Sequence, residues 1–559
     1  MVESADLPGE SPSADPPETP TFPAEPSPID GAGPSEPAAT APGGPGSPPG
    51  RNGRRPRTLA AVDLGSNSFR MVIARVVGGE LQMIDRLRDG VRLGGHLDRQ
   101  QNITLDGQVR AIQCLQKFGQ RLGDFPPGTV RAVGTNTLRR GRNALAFLKE
   151  AEKALGHPIE VVSGQEEARL IFLGVAHSVA GGPSRRLVVD IGGGSTECII
   201  GDGAEPFETE SLYMGCVSFT LAHFRGGRIS AKRFRKAETA ARLELRAIAG
   251  DYRNRGWDRA VGASGTILAV AEILRSQGWS SGPISSGGLD RLRDEMVEKG
   301  HVDALSLEGL RRDRARVLPG GVAILRAIFQ SFKLDEMFVS PGAMREGVLI
   351  DLLGRLQHKD TRELTIQGLV ERYHVDLEQA ARVEGLALDC LHQVAEAWRL
   401  DEEASHTFLR WAARLHEIGL AIAHGGYHKH GAYVLEHSDM DGFSVQNQRL
   451  LALLVRGHRR KFPKSLFLEL PTKVQVRTAM RLCILLRLAC LLTRTRSERH
   501  RTEVRCEAKG KRLRVVFPEG WLDRHPLSRA DLEQEARYLG AAGFRLTIKS
   551  LDGRAEGEP

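Results

Sequence analysis

A short motif occurs twice in this chain and limits what it can become. Asp63-Leu-Gly-Ser-Asn-Ser-Phe-Arg-Met-Val-Ile and Asp190-Ile-Gly-Gly-Gly-Ser-Thr-Glu-Cys-Ile-Ile begin 127 residues apart. They share four of eleven residues, and two more positions are aliphatic exchanges. Each copy follows an apolar, strand-like run (Thr58 to Leu64, Arg186 to Ile191) and leads into another (Phe69 to Val77, Thr196 to Ile200). Alone, either copy reads as a hairpin, because Gly and Ser are common turn residues. Two copies that keep the Asp at the strand end predict a duplicated α/β unit, with both turns aimed into one cleft.

Periodicity fills in the remainder. Helical spacing covers Leu105 to Leu122, Ala144 to Leu155, Glu166 to His177 and Ala231 to Asp251. From Gln367 to Leu454 the pattern is almost wholly amphipathic helix. Strand-like alternation returns at Arg512 to Phe517 and Gly543 to Lys549, around a helical Leu527 to Leu539. The predicted division is 57–178 and 179–357 for the two α/β halves, 358–500 for a helical domain and 501–559 for a small α+β module. Residues 1–56 stand apart. The first fifty hold fourteen prolines and eight acidic residues but no Lys or Arg, and are expected to be a disordered acidic tail. That stretch lacks the basic start and apolar run of a signal peptide. No run is apolar and long enough to span a membrane, which leaves only peripheral membrane association. Seven scattered cysteines without CxxC spacing suggest reduced thiols in a cytoplasm.

The turns carry the candidate chemistry. Consecutive amides in a Gly-rich turn form an anion-binding nest, so Gly65, Ser66, Asn67 and Ser68 with Gly192, Gly193, Gly194 and Ser195 suit adjacent phosphates. There is no GxxxxGK[ST] loop. Asp63 and Asp190 are placed to hold Mg²⁺, which binds through one or two carboxylates plus phosphate oxygens; singly, each also reads as a turn cap. Asn136 and Arg139, in Gly134-Thr-Asn-Thr-Leu-Arg, add phosphate donors. Ser264 and Gly265 form a third turn before a helix. Glu166 and Glu167 begin a helix, where carboxylates also merely favour the positive end of the helix dipole.

These segments, together with Ser163-Gly-Gln-Glu-Glu-Ala-Arg and Met214-Gly-Cys-Val-Ser-Phe, resemble the exopolyphosphatase and guanosine pentaphosphate phosphohydrolase family from about Thr58 to the C-terminal strands. The resemblance implies the actin, sugar kinase and chaperone ATPase fold for both halves, and a homodimer. It also implies roles for two acids: Glu167 as the catalytic carboxylate that orients or deprotonates water, and Glu197 as a second essential acid acting with the metal. The helical region, with His416-Glu417 followed by His428, His430, His437 and His458, resembles the HD metal-phosphohydrolase domain. There Glu417 occupies the usual Asp place, and packing is the expected role of these histidines.

Basic charge concentrates late. Residues 51–559 carry +17, and Arg449 to Arg501 alone carry +12. Such a segment attracts polyanions. With only Phe462 and Phe467 as aromatics it lacks base-stacking platforms, so nucleic acid is not the expected partner. Arg456, Arg459, Arg460, Lys461, Arg477 and Arg481 are read as a polyphosphate track. The expected function is therefore an exopolyphosphatase, with guanosine pentaphosphate 5′-phosphohydrolase as the alternative and a polyanion-binding regulator with an idle site as a third reading. Gly192-Gly-Gly194, Gly134-Thr-Asn-Thr and the basic Gly457-His-Arg-Arg-Lys461 tilt the choice toward polyphosphate.

Overall fold

The computed structural model describes residues 57–179, 184–357, 359–496 and 503–551. The expectations for the acidic tail, and for Arg499 and Arg501 of the basic segment, lie outside these residues.

The first sheet holds β1 (Thr58–Leu64), β2 (Phe69–Val77), β3 (Glu80–Asp89), β4 (Val130–Gly134) and β5 (Ile159–Val161) in the order β3-β2-β1-β4-β5. β1 to β3 are antiparallel neighbours, whereas β4 and β5 join in parallel. The second sheet holds β6 (Arg186–Ile191), β7 (Thr196–Asp202), β8 (Glu205–Leu212), β9 (Arg259–Ala263), β10 (Ile284–Ser285) and β11 (Glu336–Val339). Its order, β10-β11-β9-β6-β7-β8, repeats the first sheet with one short strand added at an edge. The predicted duplication is thus present in topology, and it matches in register: Asp63 pairs with Arg70 across β1–β2 as Asp190 pairs with Glu197 across β6–β7.

Two helices, Gly164–Ser178 and Met344–Leu356, fill the space between the sheets. The first buries Leu170, Ile171, Phe172 and Val175, so it is apolar on more than one side. The pair crosses through glycines. A β-carbon at Gly174 would lie 1.9 Å from the Ala343 carbonyl oxygen, and one at Gly347 would lie 1.8 Å from that of Leu170. Only hydrogen fits at either position, and the crossing brings the first turn of Met344–Leu356 to the cleft.

Helices run from Thr361–Arg372 through Lys473–Leu492, as the periodicity predicts. Beyond them, β12 (Arg505–Lys509), β13 (Arg512–Phe517) and β14 (Arg545–Ser550) form a three-stranded sheet with the helix Pro526–Ala541. The small module has no core of its own. Cys506, Val515, Phe517 and Leu539 belong to the same buried cluster as Trp398 and Leu485 of the helices. A segment of this size buries too little apolar surface alone, so it completes the helical region.

Candidate active site

Both turns enter one cleft and touch across it. A β-carbon at Gly193 would fall 3.0 Å from Ser66 Cβ and 3.4 Å from the Asn67 amide nitrogen. Each turn spends its carbonyls on flanking segments. The Ser66 and Asn67 carbonyls accept from the Gly94 and Arg92 amides at 2.8 and 3.0 Å, and those of Gly192 and Gly193 accept from Cys216 and Val217 at 2.9 and 3.0 Å. The amides of Ser66, Asn67, Gly193 and Gly194 donate to no backbone carbonyl among the described residues. Carbonyls turned away and amides left over make the converging donor set of an anion nest. Ser264, which also lines the cleft, has φ of 77°. Such left-handed backbone is costly for a residue with a β-carbon and concentrates at functional sites.

Three arginines complete the cationic wall: Arg70 on β2, Arg314 packed over Gly265, and Arg345 in the first turn of Met344–Leu356. Sequence reasoning missed all three. Arg314 and Arg345 come from segments without a motif, but Arg70 had a signal, because in the repeat it occupies the place of Glu197.

Asp63, Glu167 and Asp190 share this cleft with the arginines. Burial raises the Asp63 carboxyl to about 6 against the pull of Arg70 and Arg345. Burial first, then repulsion from Glu167, raises Asp190 to about 7. Glu197, 1% exposed, is raised well above the usual carboxylate range by burial, then by Glu167 and Asp190. The Ser211 hydroxyl donates to Glu197 Oε1 at 2.8 Å. Mutual repulsion among buried carboxylates is what a bound cation relieves. Yet among the described residues no three His, Cys, Asp or Glu side chains are grouped to hold a metal. The expected trio of Asp63, Asp190 and Glu197 is therefore no ready cage. Asp63 ends a strand of one sheet, while Asp190 and Glu197 face each other on the other. The fit is to an ion taking one or two carboxylates and completing its shell from phosphate and water, as Mg²⁺ does.

Of the remaining predicted residues, Glu167, Ser68, Ser195 and Gly265 line the cleft with the two turns. Gly194, Glu197, Asn136 and Arg139 do not. Glu197 is buried beside Asp190, its pair across β6–β7. The Asn136 amide oxygen would be 2.7 Å from a β-carbon on Gly194, so Asn136 backs that turn. Arg139, expected on phosphate, instead donates from Nη1 to Glu167 Oε2 at 2.6 Å and to the Val162 carbonyl at 3.0 Å. It is a positioning residue for Glu167.

Adjacent Glu166 and Glu167 part completely. Glu166 is fixed by Arg169 at 2.7 and 3.0 Å and accepts the Gly442 amide at 2.8 Å from the helical region. Arg169 also bonds Asp351, which receives Arg131 at 2.8 Å and Arg355 at 2.9 Å.

The expected track does not run as one surface. Arg481 is tied to the Trp398 carbonyl at 2.5 Å and stacks over that ring, while Arg487 is buried against Glu535. Arg449, Arg494 and Arg496 pair with Glu469, Asp531 and both Asp376 and Glu417. Arg456, Arg459, Arg460 and Lys461 remain together around one concave surface. Of the helical-region histidines, His416 and His458 each place Nδ1 2.7 Å from a backbone carbonyl one turn back, whereas His437 is exposed.

Residues 72–356 match the Ppx/GppA phosphatase family, and residues 361–536 match Ppx/GppA phosphatase, domain III. A guanosine-5′-triphosphate,3′-diphosphate pyrophosphatase of Aeromonas hydrophila subsp. hydrophila is 40% identical over 87% of this chain and 97% of its own length. An exopolyphosphatase-like protein solved by the Northeast Structural Genomics Consortium shares the fold, with TM-score 0.50 and 24% identity over 54% of this chain and all of its own. The Aquifex aeolicus PPX-GPPA enzyme is 28% identical over 53% of this chain and 99% of its own, with TM-score 0.46. No helix among the described residues is long and apolar enough to cross a membrane.

Proposed function

The chain belongs to the Ppx/GppA phosphatase family, and from that premise we propose that it hydrolyses the terminal phosphoanhydride of guanosine pentaphosphate, releasing orthophosphate and the tetraphosphate. The substrate rests on the Aeromonas relative, which shifts the balance from the first sequence-based expectation, polyphosphate, to its alternative. The chemistry rests on one observation: a carboxylate, Glu167, held by an anchored Arg139 at the edge of two facing amide nests.

In this reading the terminal phosphoryl group lies between the turns, with its charge met by their amides and by Arg70, Arg314 and Arg345. Glu167 orients a water in line with the leaving phosphate and accepts its proton at the carboxylate. The water oxygen forms the new P–O bond, and the electron pair of the broken bond stays on the leaving phosphate. Mg²⁺, held through Asp63 or Asp190, would supply further charge neutralisation on the phosphate oxygens. Glu197, buried beside Asp190 and held by the Ser211 hydroxyl, adds negative charge that a cation at Asp190 would offset.

Inorganic polyphosphate stays as a second reading, favoured by the carboxylate-free cluster of Arg456, Arg459, Arg460 and Lys461. Phosphate release from guanosine pentaphosphate and from long-chain polyphosphate, measured in parallel, tests both. Glu167→Gln should lower turnover of the true substrate by roughly 10² or more with binding retained. No release from the pentaphosphate would sink the first reading, and near-normal turnover in the variant would remove Glu167 from its role.

A further inference from the structure

The helical region and the C-terminal helix Pro526–Ala541 line a cavity of about 490 Å³ that shares no residue with the catalytic cleft. It contains the His416-Glu417 pair of the HD-domain resemblance, but its chemistry is wrong for a cation. Glu417 Oε1 is held by Arg496 at 2.5 Å. The other two carboxylates on the wall are likewise taken, Asp531 by Arg494 and Glu535 by Arg487. With each acid matched by its own arginine, Arg459 and Arg460 are left over, and neither has a carboxylate within ion-pair distance among the described residues.

These two arginines are arranged rather than merely exposed. Arg459 stacks on the Tyr427 ring, 4.5 Å from its centroid. Arg460 has φ of 63°, a conformation that favours glycine, and its carbonyl is clamped by Arg487 Nη2 at 2.7 Å. The pair also lines a second hollow of about 520 Å³, whose other cations are Lys429, Arg456 and Lys461 and which has no acidic lining residue. The cationic hollow thus adjoins the chamber, and Arg459 and Arg460 line both.

We propose that this chamber is a second ligand site, for a small phosphorylated anion, with Arg459 and Arg460 as its phosphate-binding residues and Tyr427 as the platform that fixes Arg459. The guanidinium fork matches phosphate oxygens in pairs. A cavity of about 490 Å³ with its acids already paired is of the size that takes a small ligand. The site does not depend on which substrate the catalytic cleft turns over.

Calorimetric titration of the full chain at low salt tests this, using imidodiphosphate as a hydrolysis-resistant probe and GDP as its nucleoside-bearing counterpart. Arg459→Ser with Arg460→Ser should remove one binding site per chain relative to wild type, with an unchanged melting temperature. Arg459→Ser alone should weaken that site at least tenfold and serves if the double variant misfolds. Arg70→Ala with Arg345→Ala, in the catalytic cleft, should leave it intact. Equal affinity for both probes would assign recognition to phosphate alone, and GDP bound tenfold tighter would add the nucleoside; either supports the site. The same number of sites in wild type and double variant would overturn it. So would a site filled only by long-chain polyphosphate, which would make these arginines a polymer track.

Discussion

Replacing Asp351 by Asn should destabilise the protein by about 3–5 kcal/mol, the cost of removing one partner from a buried charge cluster. The side chain is 2% exposed and accepts from three guanidiniums, those of Arg131, Arg169 and Arg355. With Glu160 and Glu166 the cluster balances three cations against three carboxylates. Asn keeps the shape but leaves one unpaired positive charge away from water. About 4 kcal/mol is roughly a thousandfold in the folding equilibrium, readily measured by urea denaturation followed by circular dichroism. The acid dependence gives a second check. Burial alone would raise the Asp351 carboxyl; the three arginines outweigh it and hold it well below the ordinary 3.8. Its contribution is thus fully present above about pH 4 and lost as pH falls through the lowered value. The gap between wild type and variant should stay constant from pH 8 to 5 and narrow only below about 4. A loss under about 1 kcal/mol at pH 7 would mean that the cluster is hydrated and the reasoning wrong.

Three other outcomes are expected. Arg139→Ala should lower kcat at least tenfold with KM within about twofold, and Arg139→Lys should restore part of it; an equal rise in KM would make Arg139 a substrate ligand instead. Gly347→Ala should cost about 3 kcal/mol or more, since its methyl group has nowhere to go but the Leu170 carbonyl; an unchanged denaturation midpoint would refute the close crossing. Burial holds His416 and His458 below the usual 6.5, so the unfolded chain takes up protons that the folded chain refuses. Stability should fall as pH drops below about 6.5, and His458→Gln should flatten the slope; an identical slope in that variant would refute the assignment.

What the sequence made legible was local. The two Asp-Gly turns, the strands beside them and the helices Leu105–Leu122 and Ala144–Leu155 follow from turn chemistry and apolar spacing alone. β4 and β9 escaped notice because five-residue buried strands carry no alternation. Glu166 and Glu167 were inseparable by pattern; their roles depend on Arg131, Asp351 and Gly442, each far away in the chain. Counting charge overstated the basic track for the same reason. The acids that consume Arg487, Arg494 and Arg496 lie at 535, 531, 376 and 417, outside any window that would have balanced them.

The register match between the two hairpins has a consequence for direction. Were both halves identical, the cleft would be symmetric, and a phosphate chain entering it could lie either way round with equal energy. One exchange breaks that degeneracy: the position facing the strand-end aspartate is Arg70 in the first half and Glu197 in the second. Matching registers thereby set a guanidinium beside one strand-end aspartate and a second carboxylate beside the other. On the proposed mechanism, a bound chain would then acquire a head and a tail, with the head beside Glu167. Hydrolysis from the terminus would then owe part of its direction to that exchange.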